Sequence, residues 1–160
     1  MAANSTKLEL DILVEAGAWP PEAEIEVIAR SAINAAFAEL GAVGNTEVSL
    51  VLTDDAHIRE LNAAWRGKDK PTNVLSFPAN PPGNGRHLPP LLGDIVIAGE
   101  TVAREAALEN KPFDHHLTHL IVHGLLHLVG HDHEEDAEAE VMEGIERRAL
   151  ARLAISDPYA

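Results

Sequence analysis

Three histidines set the chemical question. His123 and His127 stand four residues apart in the stretch HHLTHLIVHGLLHLVGHDH, which runs from His115 to His133 and holds most of the chain's nine histidines. On a helix that spacing puts two imidazoles on one face, close enough to chelate one ion. Gly130 is the residue best able to leave the helix through a left-handed backbone, and His133 follows it. The pattern H-x-x-x-H-x-x-G-x-x-H is the zincin-like spacing of metzincin metalloproteases, with one change. Where those enzymes carry the glutamate that serves as general base, this chain has Gly124. Three neutral imidazoles leave a tetrahedral zinc one open position for water. The ion alone brings the pKa of that water down towards ~7, so a hydroxide is available without the glutamate. One Zn2+ ion on His123, His127 and His133 is the expectation, and the missing glutamate argues against a zinc-dependent peptidase.

Two plainer accounts compete with it. Isolated histidines are usually satisfied core residues, but three at this spacing, on an apolar helix with a glycine exit, are poorly explained that way. A structural zinc would need a fourth protein ligand, from His119 or Asp132. His119 shares the stripe one turn before His123, and we assign it a supporting or structural role. Asp132 either holds a ligand imidazole by its free N–H, as metal-site carboxylates do, or is a surface turn residue. His115, His116 and His131 are expected to face solvent.

The second chemical cluster is Arg66, Lys68 and Lys70. It is either a solvated turn or a phosphate clamp facing the metal, in which the guanidinium makes paired contacts and stabilises transition-state charge. Spacing does not choose between these. Met142, on the last helix, is expected to be an ordinary core residue rather than a floor to the metal site.

The elements that must position these residues follow from periodicity. Leu8, Leu10, Ile12 and Val14 alternate with Lys7, Glu9 and Asp11, as in a half-buried strand. Trp19-Pro20-Pro21 opens a helix with Ile25, Ile28, Ala29, Ala32, Ile33, Ala36, Phe37 and Leu40 on one face, ended by Gly41. Val48, Leu50 and Leu52 form a second strand, and Thr53-Asp54-Asp55 caps a short helix through Ile58, Leu61 and Trp65. Strand, crossover helix and strand predict a parallel unit. Val74 to Phe77 is a short strand that Pro78 ends or confines to an edge. The segment 80–90, NPPGNGRHLPP, has the composition of a mobile loop. A buried strand from Leu92 to Ala98 pairs back on Val74–Phe77, and helices follow over 101–109, over the histidine stretch and over 134–153. The fold class is α+β: residues 1–160 as a single domain, a small mixed four-stranded sheet and about five helices, the histidine helix central.

Composition narrows the field. With no cysteine, disulfides and thiolate zinc sites are excluded. The start of the chain shows no secretory signal and no run reaches the roughly 20 apolar residues of a membrane span, so a cytoplasmic protein without a membrane partner is expected. A net charge of −14 disfavours non-specific coating of nucleic acid. Yet the basic residues cluster between Arg59 and Lys111 and the acidic excess lies above all between Asp132 and Glu146, so a local basic cleft is compatible with the total.

Two stretches, RGKDKPTNVLSFP over 66–78 and HGLLHLVGHDH over 123–133, with LGDIVIA over 92–98 between them, resemble the YbeY-type bacterial endoribonucleases. The order and spacing of elements agree along nearly the whole chain. The resemblance implies a single-strand-specific, metal-dependent ribonuclease of the cytoplasm. Its implied role is ribosomal RNA maturation, especially at the 3′ end of the small-subunit RNA, and ribosome quality control. It implies that His123, His127 and His133 hold zinc and that Arg66 lies in the active-site cleft. The implied partners are single-stranded RNA within ribosomes or their precursors, with ribosomal proteins or an assembly GTPase alongside; DNA is not expected. The acidity of the chain favours a ribosome-bound substrate. The alternative classes are a zinc-dependent peptidase and a non-catalytic ribosome-assembly factor with a structural zinc.

Overall fold

A computed structural model describes residues 6–83 and 85–160. The first five residues, on which part of the reading of the chain's start rests, and Asn84 in the 80–90 loop lie outside the described residues. Among the described residues, four strands and five helices run in the order β1 (Thr6–Val14), α1 (Glu22–Leu40), β2 (Gly44–Thr53), α2 (Asp55–Arg66), β3 (Val74–Pro78), β4 (Leu91–Ala98), α3 (Gly99–Leu108), α4 (Phe113–Leu128) and α5 (Asp136–Arg152).

The strands form one sheet in the order β1-β2-β4-β3. β1 lies parallel to β2, with Leu8 opposite Thr46 and Ile12 opposite Leu50, so the strand–helix–strand unit is parallel, as the alternation required. β2 is parallel to β4. β3 returns antiparallel on β4, pairing Val74 with Ile97 and Pro78 with Gly93. Pro78 is thus the last residue of an edge strand, where its missing N–H costs no ladder bond.

One sheet face, carrying Leu8, Val48, Leu50, Leu52, Ile95 and Ile97, packs into the main core with α1, α4 and α5. The other carries Leu75, Val96 and Ala98 and is partly covered by α2 through Ile58. α4 is the central helix: Leu117, Ile121, Val122, Leu125 and Leu126 are fully buried around most of its girth. Each such side chain contributes about 1.5–3 kcal/mol, which fixes the helix despite an N-terminus at Pro112 that has no side-chain cap. Met142 is buried in the same core.

Four details differ from the sequence expectation. α3 starts at Gly99 and α5 only at Asp136, because Glu134 is still in the preceding turn and Glu135 is the extended residue that leads into α5. The 80–90 loop is tied down in its second half. Val43 N–H bonds the Arg86 carbonyl at 2.7 Å, Leu88 N–H bonds the Val43 carbonyl and Thr46 Oγ1 donates to the Pro89 carbonyl. His116 is buried, not solvent-facing: Glu105 on α3 accepts from its Nε2 at 2.8 Å and supplies the partner that a core imidazole needs. His115 and His131 are only partly exposed.

Candidate metal centre

α4 delivers His123 and His127 from one face, one helical turn apart. The helix ends at Val129, and Gly130 leaves it with φ +102°, a conformation L side chains rarely adopt. His131 N–H closes the end on the Leu126 carbonyl at 3.0 Å, and the reversed chain brings His133 back over the two helical imidazoles. His123, His127 and His133 each offer a ring nitrogen that could hold a metal ion, and these three atoms all lie within 4.8 Å of one another. Nε2 of His123 and Nε2 of His127 are 3.1 Å apart. With zinc–nitrogen bonds of about 2.0–2.1 Å, two ligands of a tetrahedral ion stand about 3.3 Å apart, so the pair fits a shared zinc and the donor set suits that metal. His127 is pushed down to about 4, first by burial and then by its neighbours His123 and His133. Its ring is therefore neutral near pH 7, the form a metal-binding imidazole needs.

The other edge of the centre is built by β3 and the end of α2. A cleft of about 870 Å³ is lined by His123, His127 and His133 together with Arg66, Lys68 and Lys70. Arg66 is the last residue of α2, and its Nη2 donates to the Ser76 carbonyl of β3 at 3.2 Å. Ser76 in turn donates through Oγ to the Gly124 carbonyl at 2.9 Å. Asn62, buried one turn before Arg66, holds the basic turn by donating from Nδ2 to the Lys70 carbonyl. Asp69, between the two lysines, is turned to Arg59 at 2.8 and 3.2 Å and so does not lie across them.

Position 124 has a packing reason for its glycine. A Cβ there would stand 2.9 Å from Ile95 Cγ2, 3.1 Å from Ser76 Oγ and 3.3 Å from Val74 Cγ2. The glycine lets α4 lie directly on the sheet, and a glutamate could not be built there without displacing β3.

Asp132 lines the cleft, and its Oδ1 accepts the backbone N–H of His133 at 2.7 Å, shaping the turn that carries the third imidazole. The carboxylate that meets a clustered imidazole is instead Glu146 of α5. It is fully buried, and its Oε1 lies 3.1 Å from both His123 Nδ1 and His119 Nε2. Burial alone would raise its pKa, but the hydrogen bonds from His119 and His123 outweigh that and hold it at about 2. His119 thus shares the carboxylate oxygen that His123 bonds and is not in the three-nitrogen cluster. From sequence Glu146 stands out only as the end of the acidic excess between Asp132 and Glu146, with no role of its own. The available signal was its place in the stripe Met142, Ile145, Glu146, Ala149 and Leu150, all buried. Ser76, Asn62 and Glu105 carried no such signal, because their roles depend on which elements the fold brings together.

Fold and site define a class: small α+β proteins with a three-imidazole centre, backed by a buried carboxylate, in a cleft that an arginine also lines. The family model described as endoribonuclease YbeY matches residues 15–154. An endoribonuclease YbeY of Rhizobium meliloti is 57% identical, covering 96% of each chain. One of Rhodopseudomonas palustris is 57% identical, covering 94% of this chain and 91% of its own. A Thermotoga maritima protein solved in solution superposes with a TM-score of 0.56 at 26% identity, covering 95% of this chain and 99% of the other. The chain belongs to the endoribonuclease YbeY family.

Proposed function

We propose that this protein is a zinc-dependent endoribonuclease that cuts single-stranded RNA and acts in ribosomal RNA maturation, with His123, His127 and His133 as the metal ligands. Family membership supports the reaction class. The observation that carries the site assignment is the meeting of three imidazoles with Arg66, Lys68 and Lys70 in one cleft. When bound, zinc supplies a Lewis acid and a water acidified to near neutrality. The protein's own residues do the rest. The two lysines attract and seat the phosphate backbone. Arg66, held by the Ser76 carbonyl, faces the phosphodiester and neutralises the charge that develops on its oxygens.

A peptidase reading loses ground because position 124 has no room for a general base. A purely structural zinc is also disfavoured, since the cluster among the described residues has three side chains and borders an open cleft. No helix among the described residues is long and apolar enough to cross a membrane; action in the cytoplasm, on ribosomes or their precursors, is part of the proposal. The test compares wild-type protein with His127→Ala for zinc content and for cleavage of a fluorescent single-stranded RNA. Loss of both together is expected. Undiminished cleavage by the metal-free variant would overturn the proposal.

A further inference from the structure

The last residues of the chain reach the metal centre from behind. α5 ends at Arg152, the backbone turns at Ala154 with φ +58°, and Ile155 N–H bonds the Leu150 carbonyl. The tail is then fastened to α5 and folded on itself. Asp157 pairs with Arg147 at 3.1 Å, and its Oδ1 accepts the Tyr159 N–H at 2.8 Å. This sets the Tyr159 ring edge-on to His119, with centroids 5.6 Å apart, and under the Arg147 guanidinium. The phenol points inward, and its O–H donates to the Glu146 carboxylate, 2.8 Å from each oxygen. Residues 155–160 lie beyond the segment matched by the family model.

Glu146 is a buried acceptor with three donors: His119, His123 and Tyr159. A carboxylate without charge or hydrogen-bond compensation does not stay put in an apolar interior, so its position is set by those three groups. Its position in turn decides that of His123. An ionised carboxylate only accepts, so the hydrogen of the His123 ring sits on Nδ1 and Nε2 keeps its lone pair. That Nε2 is the atom facing His127 Nε2.

We propose that the C-terminal tail is a working part of the metal centre: Tyr159, acting through Glu146, is a positioning residue that keeps His123 turned with Nε2 toward the metal. Tyr159 touches neither the metal position nor the substrate cleft. Its effect reaches the ion through two hydrogen bonds, one step beyond Glu146; a group bonded directly to a ligating imidazole typically changes metal affinity about 10–100-fold, so Tyr159 is expected at the low end of that range. The inference rests on the assignment of His123 as a ligand, which Glu146 alone does not establish.

The test uses the full chain and Zn2+ in competition with a chromophoric chelator, with nitrogen-15 NMR of the imidazoles in the metal-free protein as a second readout. Tyr159→Phe keeps the ring contacts and removes only the O–H donor. Its zinc Kd is expected to rise about tenfold, and His123 should show a mixture of the two tautomers. Glu146→Gln, which keeps volume and removes the charge, reads the same link with the tail intact and should weaken zinc at least as much. Glu39→Gln serves as the stability control. It loosens α5 at its Arg148 and Arg152 contacts, away from His123, and should lower the unfolding temperature without moving the zinc Kd. A folded Tyr159→Phe protein with a zinc Kd within twofold of wild type and an unmixed Nδ1–H tautomer would overturn the proposal. If His123→Ala itself leaves zinc affinity unchanged, the ligand assignment fails instead; a tautomer shift in Tyr159→Phe would still be seen.

Discussion

Replacing Gly124 by alanine tests the packing argument at its tightest point. Two effects oppose each other. Alanine is about 1 kcal/mol better than glycine inside a helix. Against that, the new Cβ would meet Ile95 Cγ2 at 2.9 Å and Val74 Cγ2 at 3.3 Å, where carbon contacts settle at about 3.5–4.0 Å. Ile95 is fully buried, and both neighbours are β-branched and stiff at χ1. Relief must therefore come from moving α4 off the sheet. Overpacking of this kind costs about 1–3 kcal/mol. The same shift stretches the hydrogen bond from Ser76 Oγ to the Gly124 carbonyl, worth a further ~0.5–1.5 kcal/mol. The net expectation is destabilisation by about 1–3 kcal/mol, or an unfolding midpoint lower by about 2–10 °C for a chain of this size. Calorimetry on the metal-free protein reads it, free of any contribution from bound ion. A midpoint equal to or above that of wild type would mean that helix propensity, not close approach, governs this position.

Arg66→Ala should keep its zinc and its fold, since the side chain is exposed, yet lose about 100-fold or more in kcat as an electrostatic stabiliser of charge; an unchanged single-turnover rate would return Arg66 to the role of a turn residue. Glu105→Ala should cost about 1–3 kcal/mol, because it leaves the buried His116 Nε2 and the Asn73 amide without their acceptor. Urea denaturation measures this, and a cost near zero would show that water replaces the carboxylate. Glu39 accepts from Arg152 and Arg148, and these partners hold its pKa below the ordinary 4.5. A carboxylate depressed in the folded state gives stability that is present above its unfolded pKa and lost as pH falls through the folded one. The stability gap between wild type and Glu39→Gln should therefore be full at pH 6 and close as the solution is acidified below 4.5. A gap that stays constant to pH 3 would contradict the pairing.

The sequence made the strands and helices legible because their apolar periods are clean. Leu8 to Ile12, Val48 to Leu52 and the α1 stripe each have a period that only one element satisfies. The imidazole cluster was legible because its spacing lies within one helix and one turn. What could not be read were contacts between elements far apart in the chain. His116 looks like a surface residue until α3 supplies Glu105. Gly124 looked like a missing catalytic group, and the sheet shows it to be a contact surface. Asp132 and Glu146 were both acids near histidines, and only the docking of α5 on α4 puts Glu146 at His123 Nδ1 while Asp132 serves the backbone. Element boundaries shifted by a residue or two where helix ends are set by turns rather than by periodicity.

The links from Arg66 to the Ser76 carbonyl and from Ser76 Oγ to the Gly124 carbonyl tie the guanidinium to the residue next to His123. Such a brace predicts that the span between the basic residues and the imidazoles is set during folding rather than when a substrate arrives. A polymer must match the span with its own backbone repeat, so selectivity would come from phosphate spacing and strand pliancy more than from the identity of any base. Loosening the brace by Ser76→Ala should broaden the range of strands accepted while slowing the cutting of each, which a panel of single-stranded RNAs and RNA–DNA chimeras would reveal. An unaltered substrate range at an unaltered rate would show that the span is set elsewhere.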